Sequence, residues 1–110
     1  IKKTFAAGTC QITIGSNNTT LRRCSSGQTL TVNELVVISR NWEMIDLETN
    51  TPNLVTINNS GTIVSKQSTA NTIDNKSSTN TTINNYLGAT IQGGYRTIND
   101  INADELDAVL

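Results

Sequence analysis

Thr56-Ile57-Asn58-Asn59 is followed along the chain by three near-copies: Thr72-Ile73-Asp74-Asn75, Thr82-Ile83-Asn84-Asn85 and Thr97-Ile98-Asn99-Asp100. Alternate copies stand 26 residues apart, from Ile57 to Ile83, and 25 apart, from Ile73 to Ile98. Another apolar point falls between the copies, at Ile63 in Gly61-Thr62-Ile63-Val64 and at Ile91 in Ala89-Thr90-Ile91-Gln92. One unit is therefore Ile57, Ile63, Ile73, and the next is Ile83, Ile91, Ile98. A step of 25 backwards from Ile57 reaches Val32, and Ile38 and Leu47 follow it at +6 and +15.

Each Thr-Ile-Asn segment alternates polar, apolar, polar, which is the period of a strand with one buried face. Asn, Gly and Ser fall between the segments and supply corners. One such unit cannot bury its own apolar face, but stacked copies bury a shared one. The spacing predicts an all-β chain: a right-handed single-stranded parallel β-helix, or solenoid, of about three coils of 25–26 residues. It places Val32, Ile57 and Ile83 in one interior column. A β-sandwich would space its strands at about 8–12 residues without this long register. Residues 1–27 fall out of step, because Ile14 lies 18 before Val32 rather than 25. They read as an N-terminal cap, and residues 28–110 read as the coils. The period places a next column member near Ala108-Val109-Leu110, so the stack is expected to continue beyond the C-terminus.

Composition agrees with a narrow aliphatic interior. Of 110 residues, 42 are Thr, Asn or Ser and only four are aromatic, too few for an ordinary compact core. Eight Lys and Arg against nine Asp and Glu leave a net charge of -1, which gives no field to hold nucleic acid or an anionic membrane. No apolar run approaches the roughly 20 residues that span a bilayer as a helix. The chain has no His, so the commonest general base and metal ligand are both missing. No metal, cofactor or enzymatic activity is expected. Cys10 and Cys24 lack metal-site spacing, so a disulfide is the simplest reading, and it implies an oxidising compartment. Five Asn-x-Ser/Thr triplets, at Asn17, Asn18, Asn58, Asn75 and Asn80, follow from the composition rather than from glycosylation.

Candidate functional residues lie on the outward columns. Thr56 is expected to stack on Thr82 and Asn58 on Asn84, forming ladders that hydrogen-bond along the stack or bind a glycan, a partner or an identical face. Trp42 interrupts the polar monotony, and either packs against the stack or presents a recognition point. Asp74 and Asp100 lie just beyond Ile73 and Ile98, so the repeat is expected to stack these carboxylates about one rung, near 4.8 Å, apart. That is close to the roughly 5–5.5 Å of retaining glycosidases, and a weak cation site is the other reading. No Lys, Arg or His falls in a register that completes a catalytic group.

Asn58-Asn59-Ser60-Gly61-Thr62-Ile63 and Asn84-Asn85-Tyr86-Leu87-Gly88-Ala89-Thr90-Ile91 resemble the degenerate repeats of bacterial autotransporter passenger domains, the type V secretion family. In the second copy Tyr86-Leu87 precedes the glycine, which suggests a longer corner. The resemblance implies a Gram-negative passenger, secreted or displayed at the cell surface after crossing the periplasm and outer membrane. It would act as an adhesin, self-associating protein or toxin. Its partner would be a host-cell surface protein or glycan, or a second copy of itself, with no nucleic acid and no membrane insertion by this segment. Alternatives are a self-assembling filament subunit and, using Asp74 and Asp100, a carbohydrate-active enzyme.

Overall fold

The computed structural model describes residues 8–47, 54–67, 70–75, 81–93, 96–100 and 106–109, with Asp100 among those given by backbone register alone. Lys2 and Lys3, Asn80 and Leu110 lie outside them. The described chain is all-β, in three sheets. Sheet I runs β1 (Gly8–Thr9), β3 (Arg22–Cys24), β6 (Ile45–Leu47), β9 (Asn71–Asn75), β12 (Arg96–Asp100). Sheet II runs β2 (Ile12–Ile14), β4 (Thr29–Val32), β7 (Val55–Asn59), β10 (Thr81–Asn85), β13 (Leu106–Val109), and sheet III runs β5 (Val37–Arg40), β8 (Thr62–Ser65), β11 (Thr90–Gln92).

Every ladder between these strands is parallel. Parallel neighbours cannot be joined by a tight hairpin, so the chain must travel before it pairs with itself. Here it passes from sheet II to III to I and returns to sheet II one rung further on. Leu30 pairs with Ile57, Ile57 with Ile83 and Ile83 with Ala108, at intervals of 27, 26 and 25 residues. The column member expected near residue 108 is therefore Ala108.

Two column assignments from the period need correction. Ile57 is opposite Leu30, not Val32, and Val32 is opposite Asn59. Ile73 is likewise opposite Ile45, and Leu47 is opposite Asn75. The reason is the strand period: Leu30 and Val32, like Ile45 and Leu47, are both fully buried on one face. A two-residue slip keeps every side chain on its own face, so apolar pattern alone does not separate the two registers. With the observed partners, Leu30, Ile38 and Ile45 have offsets 0, +8, +15, the same as Ile83, Ile91 and Ile98. The circuit between them, Ile57, Ile63, Ile73, is shorter at its first corner. That corner is Ser60-Gly61, where its neighbours use Asn33–Val36 and Tyr86–Ala89.

The interior is aliphatic. Leu30, Ile57 and Ile83 form one column, Ile38 and Ile63 a second with Ile91 packed partly against it, and Ile45 and Ile73 a third. Each buried side chain of this size contributes about 1.5–3 kcal/mol relative to exposure. Met44 and Val55 belong to the same buried cluster.

Residues 8–24 join the same ladders in a compressed form. β2 pairs with β4, β3 with β6, and Asn18 bridges Ile38 of sheet III. Ile14 is opposite Val32, so the interval of 18 that sets this segment apart in the sequence is its actual step. Its side chains also close edges: Gln11 Oε1 accepts the Thr29 N–H at 2.8 Å, and Asn17 Oδ1 accepts the Val37 N–H at 2.8 Å.

Cys10 and Cys24 are disulfide-bonded, fully buried, with Cα atoms 4.8 Å apart. That distance is the spacing of neighbouring strands. Thr9 is opposite Arg23, so the bridge joins the next pair of residues across adjacent rungs and sits above Leu47. Replacing both cysteines by alanine is expected to lower stability by about 3 kcal/mol, the loop-closure value for a ring of this size. Urea unfolding of the oxidised protein and the double variant measures it, and coincident midpoints would refute it.

Candidate functional site

The outer face of sheet II carries the expected polar ladder. Thr29, Thr56 and Thr82 are in register, as are Thr31, Asn58 and Asn84. Asn84 Nδ2 donates to Asn58 Oδ1 at 2.8 Å, and the Tyr86 hydroxyl donates to the same oxygen at 3.3 Å. Strand β7 alternates buried and half-buried positions, so Thr56 and Asn58 stand outward with partial cover while Ile57 and Asn59 stand inward. One amide–amide bond therefore runs along this ladder, between neighbouring rungs.

Trp42 is not on that face. It lies in the turn Asn41–Met44 between β5 and β6, where sheet III passes to sheet I, and is 57% exposed. The turn is held from below by Met44, which is fully buried and whose N–H donates to Thr72 O at 3.0 Å. Trp42 therefore borders an open depression with Thr19, Ser39, Arg40, Asn41 and Lys66. The five residues expected to form one binding surface thus occupy two separate places.

The backbone register does not set Asp74 opposite Asp100. Asp74 is opposite Asn99, and Asp100 is opposite Asn75. The cause is a one-residue difference: Asp74 follows Ile73 directly, whereas Asp100 follows Ile98 by two, and successive residues of a strand take opposite faces. Asp74 instead neighbours Asp46, which is opposite it in β6, and Asp46 is opposite Arg23 with Nε to Oδ2 at 3.5 Å. Asp74 is also only 7% exposed. Among the described residues, no group of three or more Asp, Glu, Cys or His is placed to hold a metal ion.

The repeat pattern did not reveal one surface feature. Leu35 is 88% exposed and Leu87 fully so, and both stand on four-residue corners with the short corner Ser60-Gly61 between them. They flank a notch that also takes in Glu34, Val37, Thr62 and Gly88. Leu35 holds a positive φ of 67°, unusual outside glycine. The signal in the sequence was an aliphatic residue at a corner, in Asn33-Glu34-Leu35 and Tyr86-Leu87-Gly88, where polar residues normally stand.

Comparison with protein-family models, curated proteins and solved structures gives no match for this chain.

Proposed function

We propose that the chain is part of a right-handed parallel β-helix of the autotransporter-passenger type, secreted or held at a bacterial surface, and that it acts by binding a host-cell surface or a second copy of itself. The β-helix reading is supported by the cyclic passage through three parallel sheets with like residues in register, Ile38 on Ile63 on Ile91 and Asn58 on Asn84. The buried Cys10–Cys24 bridge fits export through an oxidising compartment.

The observation that carries the binding reading is the exposure of Trp42. A tryptophan carries a large apolar surface, and aromatic residues at interfaces are frequent energetic anchors. Here the chain's single Trp is held outward by a turn whose next residues are anchored in the core. Trp42→Ala is expected to reduce retention of the protein on host epithelial cells about tenfold or more, with the thermal midpoint unchanged. Equal retention of the variant would remove Trp42 from the contact. Retention by immobilised copies of the protein itself, with none on cells, would move the reading to self-association.

A further inference from the structure

The residues around Trp42 specify a ligand chemistry. Arg40 ends β5 and is opposite Ser65 in β8, and Lys66 follows directly, its N–H donating to Arg40 O at 2.9 Å. On the other side, the Ser39 N–H donates to Asn18 O at 3.2 Å, which brings Thr19 onto the neighbouring rung. Thr19, Arg40 and Lys66 therefore mark three successive rungs beside one indole, spanning about 10 Å at the strand spacing. The Lys66 side chain is exposed. Arg40 is half-buried, and its Nη1 donates to Glu43 O at 3.2 Å, which fixes the fork while leaving further donors. With Glu43 counted, this corner still carries net positive charge, in a chain whose net charge is -1.

We infer that the depression bordered by Trp42, Arg40, Lys66 and Thr19 is a binding site for an acidic polysaccharide. The inference rests on the binding reading above and names its ligand. An indole face packs against the C–H face of a sugar ring, because it offers a rigid apolar plane with a polar tip. The guanidinium and ammonium meet sulfate or carboxylate groups, Arg through its planar fork and Lys as a point charge. Ser39 and Thr19 supply hydroxyls for the sugar's own hydroxyl groups. The rung spacing is on the scale of one sugar residue, so charges one rung apart address successive positions of a chain. A protein partner would ask for a larger continuous apolar surface than one indole, and a nucleic acid for a wider field of cations.

Trp42 is the sole tryptophan, so its emission reads occupancy of this site without a label. The test titrates the protein with three oligosaccharides of equal length: a sulfated one derived from heparin, a polyuronate and a neutral dextran fragment. Host-cell retention is measured in parallel. Emission is expected to change with one or both acidic oligosaccharides and not with dextran. A response to the sulfated chain alone assigns sulfate as the recognised group, and equal responses assign charge. Lys66→Gln, at an exposed position, is expected to weaken binding about fivefold, to flatten its salt dependence and to leave the fold unchanged by circular dichroism. Trp42→Ala, followed by calorimetry, is expected to abolish it. Equal binding of dextran, acidic binding that leaves Trp42 emission unchanged, or an unaffected Lys66→Gln protein would overturn the inference. If cells retain the protein but no acidic oligosaccharide binds, this inference falls and the binding reading stands. If neither binds, this inference and the host-cell reading both fall.

Discussion

Asn59→Leu is expected to cost about 4 kcal/mol, a large share of the 5–15 kcal/mol that holds a domain of this size together. Asn59 is fully buried at the corner where sheet II turns into sheet III. Its Oδ1 accepts the Gly61 N–H at 3.1 Å. Its Nδ2 lies 3.2 Å from Gly61 O, 2.8 Å from Asn85 Oδ1 and 3.0 Å from Thr90 O. One amide thus closes its own corner and ties it to the corner of the next rung, where Asn85 Nδ2 donates to Ala89 O at 3.2 Å. Leucine matches the volume but leaves the buried Gly61 N–H and the Asn85 oxygen without this partner. Each such loss costs about 1–3 kcal/mol. Asn58, one residue earlier, makes the outward ladder bond instead, and Asn58→Ala is expected to cost under about 1 kcal/mol, since its groups can turn to water. Thermal unfolding separates the two, with a fall of about 20 °C for Asn59→Leu and of a few degrees for Asn58→Ala. Similar falls for both would mean that the inner amide does not hold the corner.

The same pair of asparagines shows what the sequence does and does not encode plainly. Asn58 and Asn59 look alike in the repeat, yet strand alternation sends one outward and one inward. The apolar period is legible because only inward positions require aliphatic side chains, and Ile38, Ile63 and Ile91 are aligned at once. Register is less legible wherever two apolar residues share a face two positions apart, as at Leu30 and Val32. There the partner depends on corner length, which is not an apolar signal. The carboxylates fail for a related reason: Asp74 and Asp100 belong to similar phrases, but one residue of offset changes their column. Trp42 stands out in composition, while its exposure depends on Met44 anchoring the turn beneath it. Arg40 and Lys66 lie 26 residues apart and become neighbours only because β5 and β8 pair in that register. The exposed Leu35 and Leu87 break the rule that corners are polar, so a repeat search reads them as noise.

Gly61→Ala is the second large effect, expected at about 4 kcal/mol. The short corner brings Gly61 beneath the longer corner of the preceding rung. A Cβ there would meet the carbonyl oxygens of Val36 and Asn33, and would lie 3.1 Å from Val32 Cγ1. The two oxygens belong to backbone, and both are engaged: Asn33 O accepts the Val36 N–H at 3.2 Å, and Val36 O accepts the Thr62 N–H at 2.8 Å. Neither can move without breaking a bond of its own, so the cost exceeds the usual 1–3 kcal/mol of overpacking. Gly88 offers the contrast. It sits on the next corner with φ of +85° and has nothing within 4 Å of a Cβ, so Gly88→Ala carries only the left-handed penalty of about 1–2 kcal/mol. Urea unfolding of the two alanine variants measures the difference. If they are equally stable, close approach of the corners is not what selects glycine at position 61. If Gly61→Ala alone collapses, the alternation of long and short corners is a packing requirement, and the notch between Leu35 and Leu87 is its consequence at the surface.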